Sequence, residues 1–179
     1  MDCRYHYRSP LGWITMRSDG EHLTGLWFDG QKYFPRTLPA ENVECAYLFD
    51  EARAWLDQYF SGHVPAFMPK IHLSGTDFRE QVWKILLSIP YGQTMTYGDI
   101  AKRVTEEYAV ESMSAQAVGN AVGHNPISII VPCHRVIAAN GSLTGYAGGI
   151  EKKRILLSIE QSGGRINPDF LINVASISE

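Results

Sequence analysis

The sequence predicts an α+β fold: a small antiparallel sheet with one helix, followed by a mainly helical part with a helix-turn-helix. Three observations carry this. Up to Phe28 the chain alternates short aromatic and β-branched runs with turn residues. From Thr76 the apolar spacing becomes helical. Two short helical stretches then follow a longer one, the pattern of a helix-turn-helix.

The strand-like runs are Tyr5-His-Tyr-Arg8, Gly12-Trp-Ile-Thr-Met-Arg17 and Leu23-Thr-Gly-Leu-Trp-Phe28, punctuated by Ser9-Pro-Leu-Gly12 and Ser18-Asp-Gly20. Residues 44–60 place Leu48, Ala52, Trp55, Leu56 and Tyr59 at helical spacing, and Ser61-Gly62 ends that helix. Pro65 and Pro69 mark 63–76 as a linker with one short strand. Thr76 caps a helix through Phe78, Val82, Ile85 and Leu86 that stops before Pro90. Thr96 caps a second helix, 97 to about 105, and a third covers 114–123 until Asn125-Pro126. The apolar run 127–131 reads as a strand entering Pro132-Cys133, and a Gly-rich loop, 141–149, leads to a last helix over 150–160. The expected organisation is an N-terminal α/β domain with linker (1–74), a helical domain (75–163) and a tail of uncertain structure (164–179).

Of 179 residues, 45% are hydrophobic and 20% charged, enough apolar material for a buried core. The net charge of −3 excludes a general polyelectrolyte binder, so any DNA contact must rest on a local patch. No apolar run approaches the roughly 20 residues of a membrane span, and Met1-Asp-Cys-Arg-Tyr-His6 lacks the layout of a signal peptide. A cytoplasmic protein without a membrane partner is expected. Three cysteines, Cys3, Cys45 and Cys133, argue against a disulfide framework, and the absence of Cys-x-x-Cys or His-x-x-x-His argues against a metal.

Cys133 has distinctive neighbours. Pro132 fixes φ and pushes Val131 toward extended backbone, so Cys133 sits at a defined corner before His134 and Arg135. A thiol reacts as its thiolate, and an adjacent base or cation lowers its pKa. Histidine suits that proton transfer near neutral pH, through a bridging water where the two side chains diverge, provided a carboxylate orients the ring. A buried structural cysteine fits Pro-Cys-His-Arg equally well. Cys3 and Cys45 lack such neighbours and read as structural.

Four motifs now fall in order and spacing: Tyr91-Gly-Gln-Thr-Met-Thr-Tyr97, Gly123-His-Asn-Pro126, Ile129-Ile-Val-Pro-Cys-His-Arg-Val-Ile137 and Ser142-Leu-Thr-Gly-Tyr-Ala-Gly-Gly149. With them the chain resembles the O6-alkylguanine-DNA alkyltransferases, the methylated-DNA–protein-cysteine methyltransferase family, over most of its length and most strongly from 78 to 160. The resemblance implies a ribonuclease H-like first domain and a winged-helix/helix-turn-helix second one. It implies a monomer without cofactor that meets double-stranded DNA in the minor groove and rotates the damaged guanine out of the stack. Cys133 then takes the alkyl group of O6-alkylguanine, with O4-alkylthymine left open, irreversibly and once. His134 is implied as the water-mediated base, Glu160 as the carboxylate that orients it, and Asn125 as the brace between the recognition helix and the active-site segment. Tyr97 and Tyr146 are implied around the flipped nucleotide, with the backbone at Cys133, Val136 and Ala147 lining the base. Ala117 and Ala121 give the recognition helix a face small enough either to approach the groove or to pack tightly on another helix. Arg135 is implied to tie the binding loop to the fold.

Two departures stand out. Gln116 occupies the position where many members carry an arginine that enters the base stack; it can hydrogen-bond an orphaned base but supplies no charge. The acidic connection Glu106-Glu-Tyr-Ala-Val-Glu-Ser112 is longer than in compact members and reads as a solvated loop clear of phosphate. From Cys133 to Arg165 five basic residues face two acidic ones, a small local excess, with Lys152 and Lys153 read either as a solvated helix start or as DNA contacts.

Overall fold

A computed structural model describes residues 1–163; the tail from 164 lies outside the described residues. Strands β1 (Cys3–Ser9), β2 (Gly12–Ser18) and β3 (Leu23–Phe28) form an antiparallel sheet in the order β1-β2-β3. The register pairs Tyr7 with Ile14 and Met16 with Leu26, and shifts between Arg17 and Ser18. Ile14, Met16, Leu26 and Phe28 are buried in the core.

The expected helix over 44–60 is divided. A 3₁₀ segment, Val43–Phe49, starts at Asn42, whose side chain accepts from Glu44 N, and α1 (Asp50–Phe60) follows. Helix α1 buries Ala52, Trp55, Leu56, Tyr59 and Phe60. In the linker the expected strand is a single bridge: Leu23 N donates to Lys70 O and His72 N to Leu23 O, beside Ile71.

Cys3 and Cys45 form a disulfide, with Cα atoms 6.2 Å apart, which corrects the reading of two unpaired thiols. The pairing depends on β1 and the 3₁₀ segment packing together. Nothing in the local sequence of either cysteine encodes that contact.

Helices α2 (Asp77–Leu87), α3 (Tyr97–Tyr108) and α4 (Ala115–Gly123) pack mutually. Each begins at a hydroxyl cap: Thr76 accepts from Arg79 N, Thr96 forms a capping box with Asp99, and Ser114 accepts from Ala117 N. Helix α3 runs past its expected end at about 105, and Glu107 pairs with Arg103 at 2.6 Å one turn back. Part of the acidic connection is therefore helix surface. Ala109 closes α3 in the left-handed conformation, φ 51°. Short strands β4 (Met95–Thr96) and β5 (Val136–Ile137) pair in parallel, and α5 (Ile150–Gln161) completes the described chain. Among the described residues no helix is long and apolar enough to cross a membrane.

Candidate active site

The segment after α4 is held on two sides. Asn125, buried, donates from Nδ2 to Val131 O at 2.8 Å and accepts from Ile127 N at 3.0 Å. From the sheet, Leu26 N donates to Pro126 O and Ser128 N to Leu26 O. Residues 127–131 are not the expected strand beyond this bridge at Ile127. They fold into a tight turn in which Val131 N reaches Ile127 O and buried Ile129 takes φ +69°. A β-branched residue rarely adopts that conformation, so the packing around it must hold it there. Pro132 then starts the 3₁₀ turn Cys133–Arg135, which the Val136 N–H closes onto Cys133 O.

Cys133 lies 5% exposed at the floor of a cleft of about 340 Å³ between α4 and the loop before α5. Tyr97, Gln116, Tyr146 and Ala147 also line it. Tyr97 donates its hydroxyl to Thr144 O at 2.8 Å and stands against Gly119 of α4, where an added Cβ would meet its ring at 3.7 Å. The Tyr146 hydroxyl is buried without a protein partner.

Behind the thiol, His134 and Glu160 are fully enclosed, with Nε2 and Oε1 2.6 Å apart. Glu160 also accepts from Tyr59 Oη (2.8 Å), Gly92 N (3.1 Å) and the Arg135 guanidinium (2.8 and 3.0 Å). Burial pushes the carboxyl up, but the His134 and Arg135 contacts outweigh it and hold it at about 2. An ionised carboxylate only accepts, so the Nε2 position of His134 carries the proton and Nδ1 is left basic. Nδ1 is buried and without a protein partner. Burial pulls the ring below its ordinary pKa despite Glu160, which keeps it neutral and able to take a proton.

The sign of the Cys133 shift reverses the sequence-based expectation. Burial raises the thiol, and Asn125 and Lys153 oppose this only in part. The resting group is a protonated thiol, so deprotonation belongs to the reaction rather than to the ground state. Lys153 is neither a solvated residue nor a phosphate contact. It is fully buried, and its Nζ donates to Gly145 O (3.0 Å) and Thr144 O (3.4 Å). Burial lowers it to about 8, and only the thiolate form of Cys133 acts to raise it.

Three further residues take definite places. Ala121 is buried, its carbonyl accepting from Trp83 Nε1 at 2.9 Å, so its methyl supports helix packing rather than the groove; Ala117 is partly exposed. The Val136 side chain is buried in β5, which leaves its backbone as the part that can face a base. Arg135 bonds Ile89 O at 2.6 Å as well as Glu160, which fixes the loop and leaves it no reach to DNA. Tyr59 is the residue that sequence reading missed. Its spacing is that of a helix-core aromatic, and only the packing of α1 on α5 brings its hydroxyl to Glu160.

Residues 4–72 match the ribonuclease-like domain of 6-O-methylguanine DNA methyltransferase, and residues 77–162 match its DNA-binding domain. The chain belongs to this family. A methylated-DNA–protein-cysteine methyltransferase of Mycobacterium tuberculosis is 48% identical over 160 residues, covering 88% of this chain and 93% of the relative. One from Methanosarcina acetivorans is 45% identical over 157 residues, covering 87% and 96%. The crystal structure of the M. tuberculosis OGT in complex with DNA superposes with a TM-score of 0.79 at 42% identity, covering 93% of this chain and 97% of that one. The α+β architecture, with its small antiparallel sheet and helical DNA-binding part, is that of the family. So is the activity class: DNA repair by alkyl transfer to a protein cysteine.

Proposed function

We propose that Cys133 Sγ is the alkyl acceptor and that O6-alkylguanine, turned out of duplex DNA from the minor groove, is the donor. One observation carries the reading. The thiol that is free among the described residues lies at the floor of a cleft bordered by α4, and the buried His134–Glu160 pair stands behind it. In the transfer the Sγ–C bond forms as the C–O6 bond breaks. The thiol proton passes through a water to His134 Nδ1, and the departing guanine takes up one proton. Tyr146 and Tyr97 flank the base, Asn125 braces the turn under the thiol, and Gln116 faces the gap left in the stack.

Water does not cleave an unactivated thioether, so each molecule reacts once; the reading is of a monomer without cofactor. Residues 1–74 buttress the site and residues 75–163 engage DNA. The test is to incubate the protein with duplex carrying O6-methylguanine and weigh it. A gain of one methyl on Cys133, absent in Cys133→Ser, is expected. Tight lesion binding without mass gain would indicate recognition without chemistry, and repeated turnover would indicate a hydrolase; either overturns the proposal.

A further inference from the structure

The far rim of the Cys133 cleft comes from the N-terminal part of the chain, from the turn after β3. Gln31 anchors this turn: its Oε1 accepts from Phe28 N at 2.9 Å and lies 3.3 Å from Ser128 Oγ, in the segment that carries the thiol. Lys32 N donates to Ala147 O at 2.9 Å, tying the turn to the opposite wall. Tyr33 takes φ +61° and stacks on His124 at the end of α4, with ring centroids 3.8 Å apart and planes at 25°. The same ring covers Gly123, where an added Cβ would lie 3.6 Å from it. The Lys32 ammonium sits 4.9 Å above the Tyr33 ring, and both residues line the cleft.

This arrangement puts an exposed cation where the recognition helix has none. Helix α4 carries no charged side chain, and Lys153 is buried on loop carbonyls. Lys32 forms no ion pair among the described residues, and its stem is directed by a ring that is itself clamped on His124. A chain of net charge −3 needs such a local contact to hold a polyanion. We infer that the Lys32–Tyr33 turn is a DNA-contacting element, in which Lys32 binds a backbone phosphate of the extruded nucleotide and Tyr33 on His124 fixes the position of that charge.

The inference rests on the alkyl-transfer reading, but its test reads binding separately. Duplex DNA is titrated by fluorescence anisotropy over a series of salt concentrations, using the full chain and its Lys32→Ala, Lys32→Arg and Tyr33→Ala variants. Methyl transfer from free O6-methylguanine base is followed in parallel. Loss of one phosphate contact lowers the slope of log affinity against log salt by about one. Lys32→Ala is expected to show this, Lys32→Arg to retain the native slope, and Tyr33→Ala to weaken binding to duplex DNA. An unchanged slope in Lys32→Ala would overturn the inference. So would an equal loss with free base and with DNA, which would place Lys32 in the base pocket. Failure of the native protein to gain a methyl would count against the transfer reading alone, since the binding slopes do not depend on it.

Discussion

Tyr59 and Glu160, 101 residues apart in the chain, share a buried hydrogen bond of 2.8 Å from hydroxyl to carboxylate. The bond joins α1 to the last turn of α5, and through the same carboxylate oxygen it reaches His134. Glu160 is therefore both the orienting group of the site and a fastening between the two parts of the chain. Its folded pKa of about 2 lies below the ordinary 4.5, so it stabilises the fold above the ordinary value and that stability is lost as pH falls from about 4.5 toward 2. Glu160→Gln should flatten the fall in urea midpoint over this acid range and slow methyl transfer. Tyr59→Phe should cost about 1.5–3 kcal/mol, the range for a hydrogen bond to a charged group, while Cys133 remains the acceptor. Superimposable acid profiles for Glu160→Gln and the native protein would sink the assignment.

Lys153 supplies the opposite case, a charge that destabilises the fold and serves the site. Its folded pKa of about 8 lies below the ordinary 10.5, so the unfolded chain binds more protons between these values and stability rises with pH across that window. Lys153→Met should abolish the rise. It should also remove a positive influence from the thiol, which raises the pKa of Cys133 and slows transfer at neutral pH. The pH dependence of iodoacetamide alkylation of the folded protein reports this directly. An alkylation pKa equal in native protein and variant would show that Lys153 serves only the loop carbonyls.

These two residues also mark what the sequence could convey. Cys133, His134 and Arg135 are contiguous, and three helix starts carry hydroxyl caps, so the turn and the helix-turn-helix were legible from local chemistry. Lys152 and Lys153 read either as a solvated helix start or as DNA contacts, because nothing local tells which of the two points inward; Lys153 is buried by the loop folding over α5. Ala121 and Ala117 have the small side chains that serve both groove approach and helix packing, and Trp83 decides the matter for Ala121. The run 127–131 has strand composition, but Asn125 and the sheet bond its backbone from both sides and curl it.

The Cys3–Cys45 disulfide closes a separation of 42 residues, for which chain-entropy reasoning gives about 4 kcal/mol of stabilisation. Thiol titration of the unreduced, denatured protein should find one reactive group, Cys133, and three after reduction. Reduction or Cys3→Ser should lower the urea midpoint and leave the transfer rate of the folded protein unchanged, because neither cysteine borders the cleft. Three thiols before reduction would contradict the bond.

Gln116 is exposed on α4 and lines the cleft beside Gly119 and Asn120, so a longer cationic side chain there has room to meet DNA. Gln116→Arg should raise affinity for duplex DNA most at low salt and steepen the salt slope by about one, the mark of one added phosphate contact. If the introduced guanidinium enters the base stack instead, affinity rises with little change in slope, because the gain then comes from stacking and cation–π contact. The substitution also bears on Lys32. Two cations on opposite sides of one cleft act on separate phosphates, so Gln116→Arg should restore affinity to Lys32→Ala without altering the transfer rate from free base. Equal affinities of native protein and Gln116→Arg at every salt concentration would show that this position does not touch DNA.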